Sequence, residues 1–273
     1  MRTLVLGALA TGLLAAAASA QGVLLRVHPR VGDTLHTRLE QQTEMSTSLP
    51  GTGGRTTKSV TTSLVLNSRT IVQASSSAST LVLTVVDSAE LRSSDAHGAA
   101  QAEAAERTLR GQQLVLQLGA DGSVESVRDA RGVPVPRDVA DAMSAMPAVF
   151  PRRPLSVGER WTRELPLPAG GPFGARGSGR LDAVFRLDSL DRSANVAFVS
   201  MRGEILPDAG NQGVELSGDV TGAMQVDRRR GWMTDSRFTV VVRSLVTPPS
   251  ASGLAPMRFV TRVTQRLRTM DKH

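Results

Sequence analysis

The 273-residue sequence is 40% hydrophobic and only 3% aromatic, has no tyrosine and no cysteine, and carries a formal charge of +7 from 32 basic and 25 acidic side chains. The missing cysteine excludes disulfides, thiol nucleophiles, thiolate metal sites and redox switching, and the long apolar runs exclude the disordered class. Arginine supplies almost all the positive charge, Lys58 and Lys272 being the only lysines, so a basic exterior would favour anionic partners such as lipid headgroups, anionic glycolipids or nucleic acid.

The first twenty residues read as a signal peptide. Arg2 is the positive n-region, Leu4 to Ala17 the apolar h-region, and Ala18-Ser19-Ala20 an A-x-A site, which puts cleavage between Ala20 and Gln21. Gln21 in place of cysteine excludes a lipid anchor at that position. The apolar run is short for a span of about 20 residues, and no other stretch is a membrane-span candidate. The expected localisation is therefore periplasmic or extracellular.

Val31-Gly32-Asp33 opens the mature part. Its echo is Val157-Gly158-Glu159, and both follow prolines and lead into alternating apolar and polar residues. Glycine supplies the bend, the acid solvates it, and the alternation predicts a half-buried strand. We expect these to be the opening strands of two related halves, over 21–135 and 157–273, joined by a connector over 136–156.

Leu35 to Leu49 alternates over its whole length and predicts a first strand. At about 3.3 Å per residue it would reach about 45–50 Å, so a bend or bulge is expected. A turn at Pro50 to Gly54, a strand over Val60 to Gln73 and another over Thr80 to Leu91 follow. Asp95 to Arg110 is rich in alanine and glutamate, and propensity favours a short helix over a mobile loop. Gln112 to Leu118 and Ser123 to Val127 form a hairpin through Asp121-Gly122. Its counterpart in the second half is Gly222 to Val226 with the return from Trp232.

Pro136 to Phe150 has an apolar face of Val139, Ala142, Met143, Met146 and Val149 and predicts an amphipathic helix between the halves. Pro147 and Pro151 would end it. Strands are then predicted over Trp161 to Leu167, Arg180 to Leu190, Asn195 to Leu206, Val214 to Val226, Trp232 to Val246 and Met257 to Met270. The sum is mainly all-β: a long antiparallel curved sheet, either an open half-barrel or a closed barrel, with the helix against its concave side.

Catalytic signatures are sparse. The glycine-rich stretch Gly170 to Gly179 lacks the Gly-Lys-Ser/Thr triplet of a phosphate cradle and reads as a surface loop. No Gly-x-Ser-x-Gly elbow is present. His28, His36, His97 and His273 are scattered, so no metal site is assigned. Asp33 and Glu159 are matched acids, but acids after glycine at a bend are mostly turn residues. We expect no enzymatic activity and no cofactor.

Two binding features stand out. Arg258, Arg262, Arg266 and Arg268 share one face of the last strand. This stripe suits an anionic membrane surface or an acidic envelope protein, or serves as a solvent face guarding an edge strand. Val139, Met143 and Met146 would line a pocket for a lipid or other apolar ligand if the sheet's concave side is not simply a dry core. Nucleic acid is a poor partner for an exported chain with few stacking aromatics.

The overall pattern, with its Gly-acid-x-large-apolar strand openings, resembles the periplasmic lipoprotein-carrier (LolA-like) proteins and other exported bacterial β-proteins of unknown function. The duplicated organisation departs from a single-unit carrier. The resemblance implies binding of lipid or acylated cargo without catalysis. The other class of function is a structural or interaction module of the cell envelope that uses the arginine face.

Overall fold

The computed structural model describes residues 22–51, 54–135, 148–167, 179–207, 214–247 and 255–270. The first half forms β1 (Thr34–Gly51), β2 (Gly54–Ser75), β3 (Ser79–Ser93), α1 (Ala96–Leu109), β4 (Gln113–Gly119) and β5 (Val124–Asp129). The second forms β6 (Arg160–Pro166), β7 (Gly179–Leu190), β8 (Val196–Pro207), β9 (Val214–Asp227), β10 (Trp232–Val246) and β11 (Met257–Met270). All eleven strands make one antiparallel sheet in the order β5-β4-β3-β2-β1-β11-β10-β9-β8-β7-β6. The sheet is curved but open, because β5 and β6 do not pair.

The long first strand keeps an unbroken register with both neighbours, from Thr34 opposite Ile71 to Gly51 opposite Gly54. The bulges that curve the sheet lie elsewhere: at Asn67/Ser68 and Val72/Ala74 between β2 and β3, at Gln117/Leu118 between β4 and β5, at Leu187/Ser189 between β7 and β8, and at Met233/Asp235 between β10 and β9. An unpaired residue bends and twists the strand that carries it, so the curl is supplied by strands other than β1.

The segment 95–110 is helical. Asp95 caps it by accepting a hydrogen bond from the Gly98 amide at 3.1 Å, and Ala102 is its buried contact. The helix packs along β3, whose last residues extend past the end of β4. It thereby blunts a strand edge that would otherwise offer free amides and carbonyls.

Period-two alternation sends the large apolar residues to one face, here called inner, and most charges to the outer face. The inner face of the second half carries the main core, where Phe185, Leu187, Val199, Ile205 and Val226 are almost fully buried. Trp161 stacks on Phe185 with ring centroids 5.5 Å apart. A smaller core of Leu35, Val72, Val82, Leu114 and Leu116 lies in the first half.

Two non-strand segments tie one end of the sheet. Val23 and Leu155 exchange backbone hydrogen bonds of 2.7 and 2.9 Å. Val27 then donates to Ala120 O in the β4–β5 turn, and His28 donates to Gly231 O in the β9–β10 turn. Phe150 N donates to Asp121 O, while Trp161 Nε1 donates to Val149 O. Leu25, Phe150 and Leu155 fill the space beneath this strap.

Two expectations change. The predicted helix over 136–150 is not continued at 148–150, where the chain is irregular and its carbonyls accept side-chain hydrogen bonds from β6, consistent with a stop at Pro147. Residues 136–147, with Val139, Met143 and Met146, lie outside the described residues, as do the expected signal segment with Ala20 and Gln21, residues 168–178 and His273. The arginine-bearing last strand is no edge either. β11 sits in the middle of the sheet between β1 and β10, because the second half runs from the far edge back to the centre.

Candidate functional site

The inner face can be read row by row across the strands. At one level Leu66, Leu39 and Leu267 stand side by side, and the row continues through Ser236 to Met224 and Val199. Two residues further toward the open end come Leu64, Gln41, Gln265 and Phe238, and then Thr62, Thr43, Val263 and Val240. The rows behave differently on the two sides. On β7 to β9 they are buried in the main core. On β1, β2 and β11, Leu39, Leu64, Leu66, Val263 and Leu267 are half-buried and pack against neither buried cluster.

Gly222 shows why the second half is filled. A Cβ there would lie 2.2 Å from the Phe238 ring and 2.7 Å from Arg237 O. The bare backbone lets Phe238 lie flat across the strand pair, so aromatic volume closes that half. In the first half, threonine, glutamine and leucine share the wall, and the aromatic packed against its smaller core is Trp232, from β10.

The two Val-Gly-acid stretches adopt one geometry. Gly32 has φ +87° and Gly158 +88°. Gly32 N donates to Val72 O and Val72 N to Asp33 O; Gly158 N donates to Leu187 O and Leu187 N to Glu159 O. The carboxylates turn back in the same way, Asp33 accepting from Arg30 N and Glu159 from Ser156 N. In both halves a bulge follows the receiving residue. Asp33 and Glu159 are thus turn residues. The Ser156 amide, seconded by the Arg153 guanidinium, holds the Glu159 carboxyl below the usual range.

Asp121, in the β4–β5 turn, is the buried acid of the strapped end. Burial pushes its carboxyl up, but hydrogen bonds from Ser123 and from Arg152 outweigh this and leave it lowered. These contacts fix the turn that receives the Phe150 amide, a structural role.

The arginine stripe lies on the outer face. Arg268 pairs with Glu40 at 3.3 Å and Arg266 with Asp235 at 3.1 Å. Glu40 also accepts from Arg38, which with the two β11 arginines keeps its carboxyl below the usual range. Arg258 and Arg262 have no ion-pair partner among the described residues and are exposed. The four residues therefore divide into a neutralised pair near the strapped end and a free pair toward the open end.

His28 Nδ1 contacts Ser76 O at 3.0 Å, and His36 Nε2 is buried without a partner. Among the described residues no three His, Asp or Glu side chains converge as metal ligands, and no helix is long and apolar enough to cross a membrane. A depression of about 770 Å³ lies beside β3–β5, lined by Leu83, Val115, Val127, Val133 and Val135 among others. Another of about 500 Å³ lies between the Gly32 turn and the β9–β10 turn, with Arg30, Arg229 and Arg230 on its rim.

Sequence reasoning missed the strap. Leu24-Leu25 and the Phe150-Pro151 step were its only signals, and neither has a period. It also passed over Lys58, which the β1–β2 register puts on the inner face opposite Thr47.

No protein-family model matches the chain, and no curated protein does. Among solved structures it is similar to DynF from the dynemicin biosynthesis pathway of Micromonospora chersina, at 9% identity and TM-score 0.24, over 93% of this chain and 88% of that one. A domain described as an outer membrane lipoprotein-sorting protein from Vibrio parahaemolyticus matches at 9% identity and TM-score 0.21, over 85% and 83%. The outer membrane protein OprG from Pseudomonas aeruginosa matches at 9% and 0.14, over 90% and 98%. Scores this low establish neither a shared fold nor a shared activity.

Proposed function

We propose that this is an exported, non-enzymatic protein that holds a lipid or other apolar ligand against the inner face of β1, β2 and β11. The observation that carries the reading is the half-buried wall of Leu39, Leu64, Leu66, Val263 and Leu267, which joins neither core although the same rows are buried in the second half. Half-buried apolar surface of this kind is what a ligand groove exposes and what a filled core removes.

The test is native mass spectrometry of the protein purified from an exported fraction, followed by solvent extraction. A co-purifying apolar compound near one-to-one, lost in Leu39→Gln/Leu66→Gln with unchanged circular dichroism, is expected. A ligand-free mass with no uptake of apolar fluorescent probes would overturn the reading.

One observation favours a second reading. Exposed Arg258 and Arg262, without acidic partners among the described residues, would suit an anionic envelope surface or acidic protein. Retention of an Arg258→Ser/Arg262→Ser variant on anionic vesicles equal to that of the parent would dismiss it. We also read the two halves as copies of one five-strand unit, a reading supported by the matched turns, the matched bulges and the sheet order. β1 to β5 and β6 to β10 run across the sheet in the same direction, with β11 between them.

A further inference from the structure

Charge is almost absent from the inner face. On β1, β3 and β11 every charged residue whose side chain is described falls on the outer face or at a bulge. On β6, Arg163 points inward, but its guanidinium donates to Ala148 O and Phe150 O. On β5, Asp129 is paired with Arg131. Lys58 is the exception. The β1–β2 register puts it in the same inner series as Val60, Leu64 and Leu66. It is exposed and has no ion-pair or hydrogen-bond partner among the described residues.

Its position is specific. Lys58 stands opposite Thr47, which stands opposite Phe259, so ammonium, hydroxyl and ring share one row at the end of the sheet away from the strap. The next row holds Val60 and Met45, and beyond it the leucine wall begins. From Lys58 to Leu66 the strand covers about 26 Å at about 3.3 Å per residue. One acyl chain reaches about 15 Å, half the hydrocarbon thickness of a bilayer. With its head at the tip of the flexible Lys58 stem, an aliphatic chain of that reach would lie over Val60 and Thr62 and end at Leu64, short of Leu66.

We infer that the preferred ligand is a long-chain carboxylate, with its head at Lys58 and its chain along the β1–β2 wall. This rests on the groove proposed above and adds the chemistry of the head. A single ammonium matches a monoanion, and among the described residues no second cation stands in that row to meet a dianionic phosphate. A lysine ammonium is a compact point charge on a flexible stem, which suits a head at a solvent-facing rim.

The experiment is displacement of an apolar fluorescent probe by hexadecanoate, hexadecan-1-ol and hexadecyl phosphate at low salt, on the parent, Lys58→Met and Lys58→Glu. At an exposed position these substitutions leave the fold intact. Hexadecanoate should bind about two- to fivefold more tightly than the alcohol, the range of a solvent-exposed ion pair. Lys58→Met should equalise the two and Lys58→Glu should invert them. Equal binding by the parent, or a preference that survives Lys58→Met, overturns the carboxylate assignment while alcohol binding leaves the groove standing. Phosphate binding tenfold tighter than carboxylate overturns the monoanion. Displacement by none of the three overturns the groove itself.

Discussion

Gly32→Ala and Gly158→Ala test the claim that the two turns are one device. Each glycine has φ near +88°. A Cβ at Gly32 would meet nothing within 4 Å, and at Gly158 only the Arg186 guanidinium at 4.0 Å. Packing therefore contributes almost nothing, and the cost is conformational: about 1–2 kcal/mol for an L-residue in the left-handed region, less about 0.4–1 kcal/mol from the stiffer unfolded chain. A net loss of about 1 kcal/mol is expected at each site, or about 2–4 °C in Tm for a chain of this size. The turns stand on separate strands without shared partners, so the double variant should lose about 2 kcal/mol. Urea unfolding followed by tryptophan fluorescence reads this directly, since Trp161 is buried in the main core. Gly222→Ala is the contrast, because there the clash with Arg237 O is steric and the loss should be larger. A loss at one turn with none at the other would refute the shared geometry.

Other outcomes follow from the strap and the outer face. Leu155→Ala, at a fully buried position bridged to Val23, should cost about 2–5 kcal/mol by the same urea assay. Asp121→Asn should cost about 1 kcal/mol near neutral pH. Because the folded state lowers the Asp121 carboxyl, its contribution is present above the ordinary carboxylate range and fades as pH falls through the lowered value. Parent and variant should therefore converge in acid, as pH-dependent melting will show. Arg268→Ala should change stability by less than about 1 kcal/mol, since its pairing with Glu40 is solvent-exposed, and urea midpoints at low and high salt will test it.

The strands were legible because alternation is a local signal. Leu35 to Leu49 carries it without interruption, and β1 covers that run. Asp121-Gly122 marked its hairpin for the same reason. What sequence could not reveal was the order in the sheet. The last strand, with charges on one face and apolar residues on the other, has the pattern of an edge, yet it pairs with β1 and β10. Nothing within Met257 to Met270 encodes that neighbour. It follows from the second half running back to the centre, which only long-range pairing decides. Lys58 was invisible for a related reason: an isolated lysine acquires meaning only when the register decides which face it shares.

The inequality of the halves is the firmest ground for a binding role. The same turn, the same following bulge and the same strand direction begin both. Yet among the described residues the cluster on the second half gathers 18 buried residues, strap residues included, and that on the first gathers 5. The difference traces to side chains. Trp161 stacks on Phe185, Phe238 packs against the same core, and Gly222 gives Phe238 room to do so. The corresponding wall of β1 and β2 offers Thr37, Gln41, Thr43 and Thr62 among its leucines. Such a wall is too apolar to be left to water and too polar to close on itself, the character that the proposed groove for an amphiphile requires. Placing phenylalanine at Gln41 should therefore extend the core, raise stability and abolish uptake of hexadecanoate. Undiminished uptake by Gln41→Phe would move the ligand off this wall.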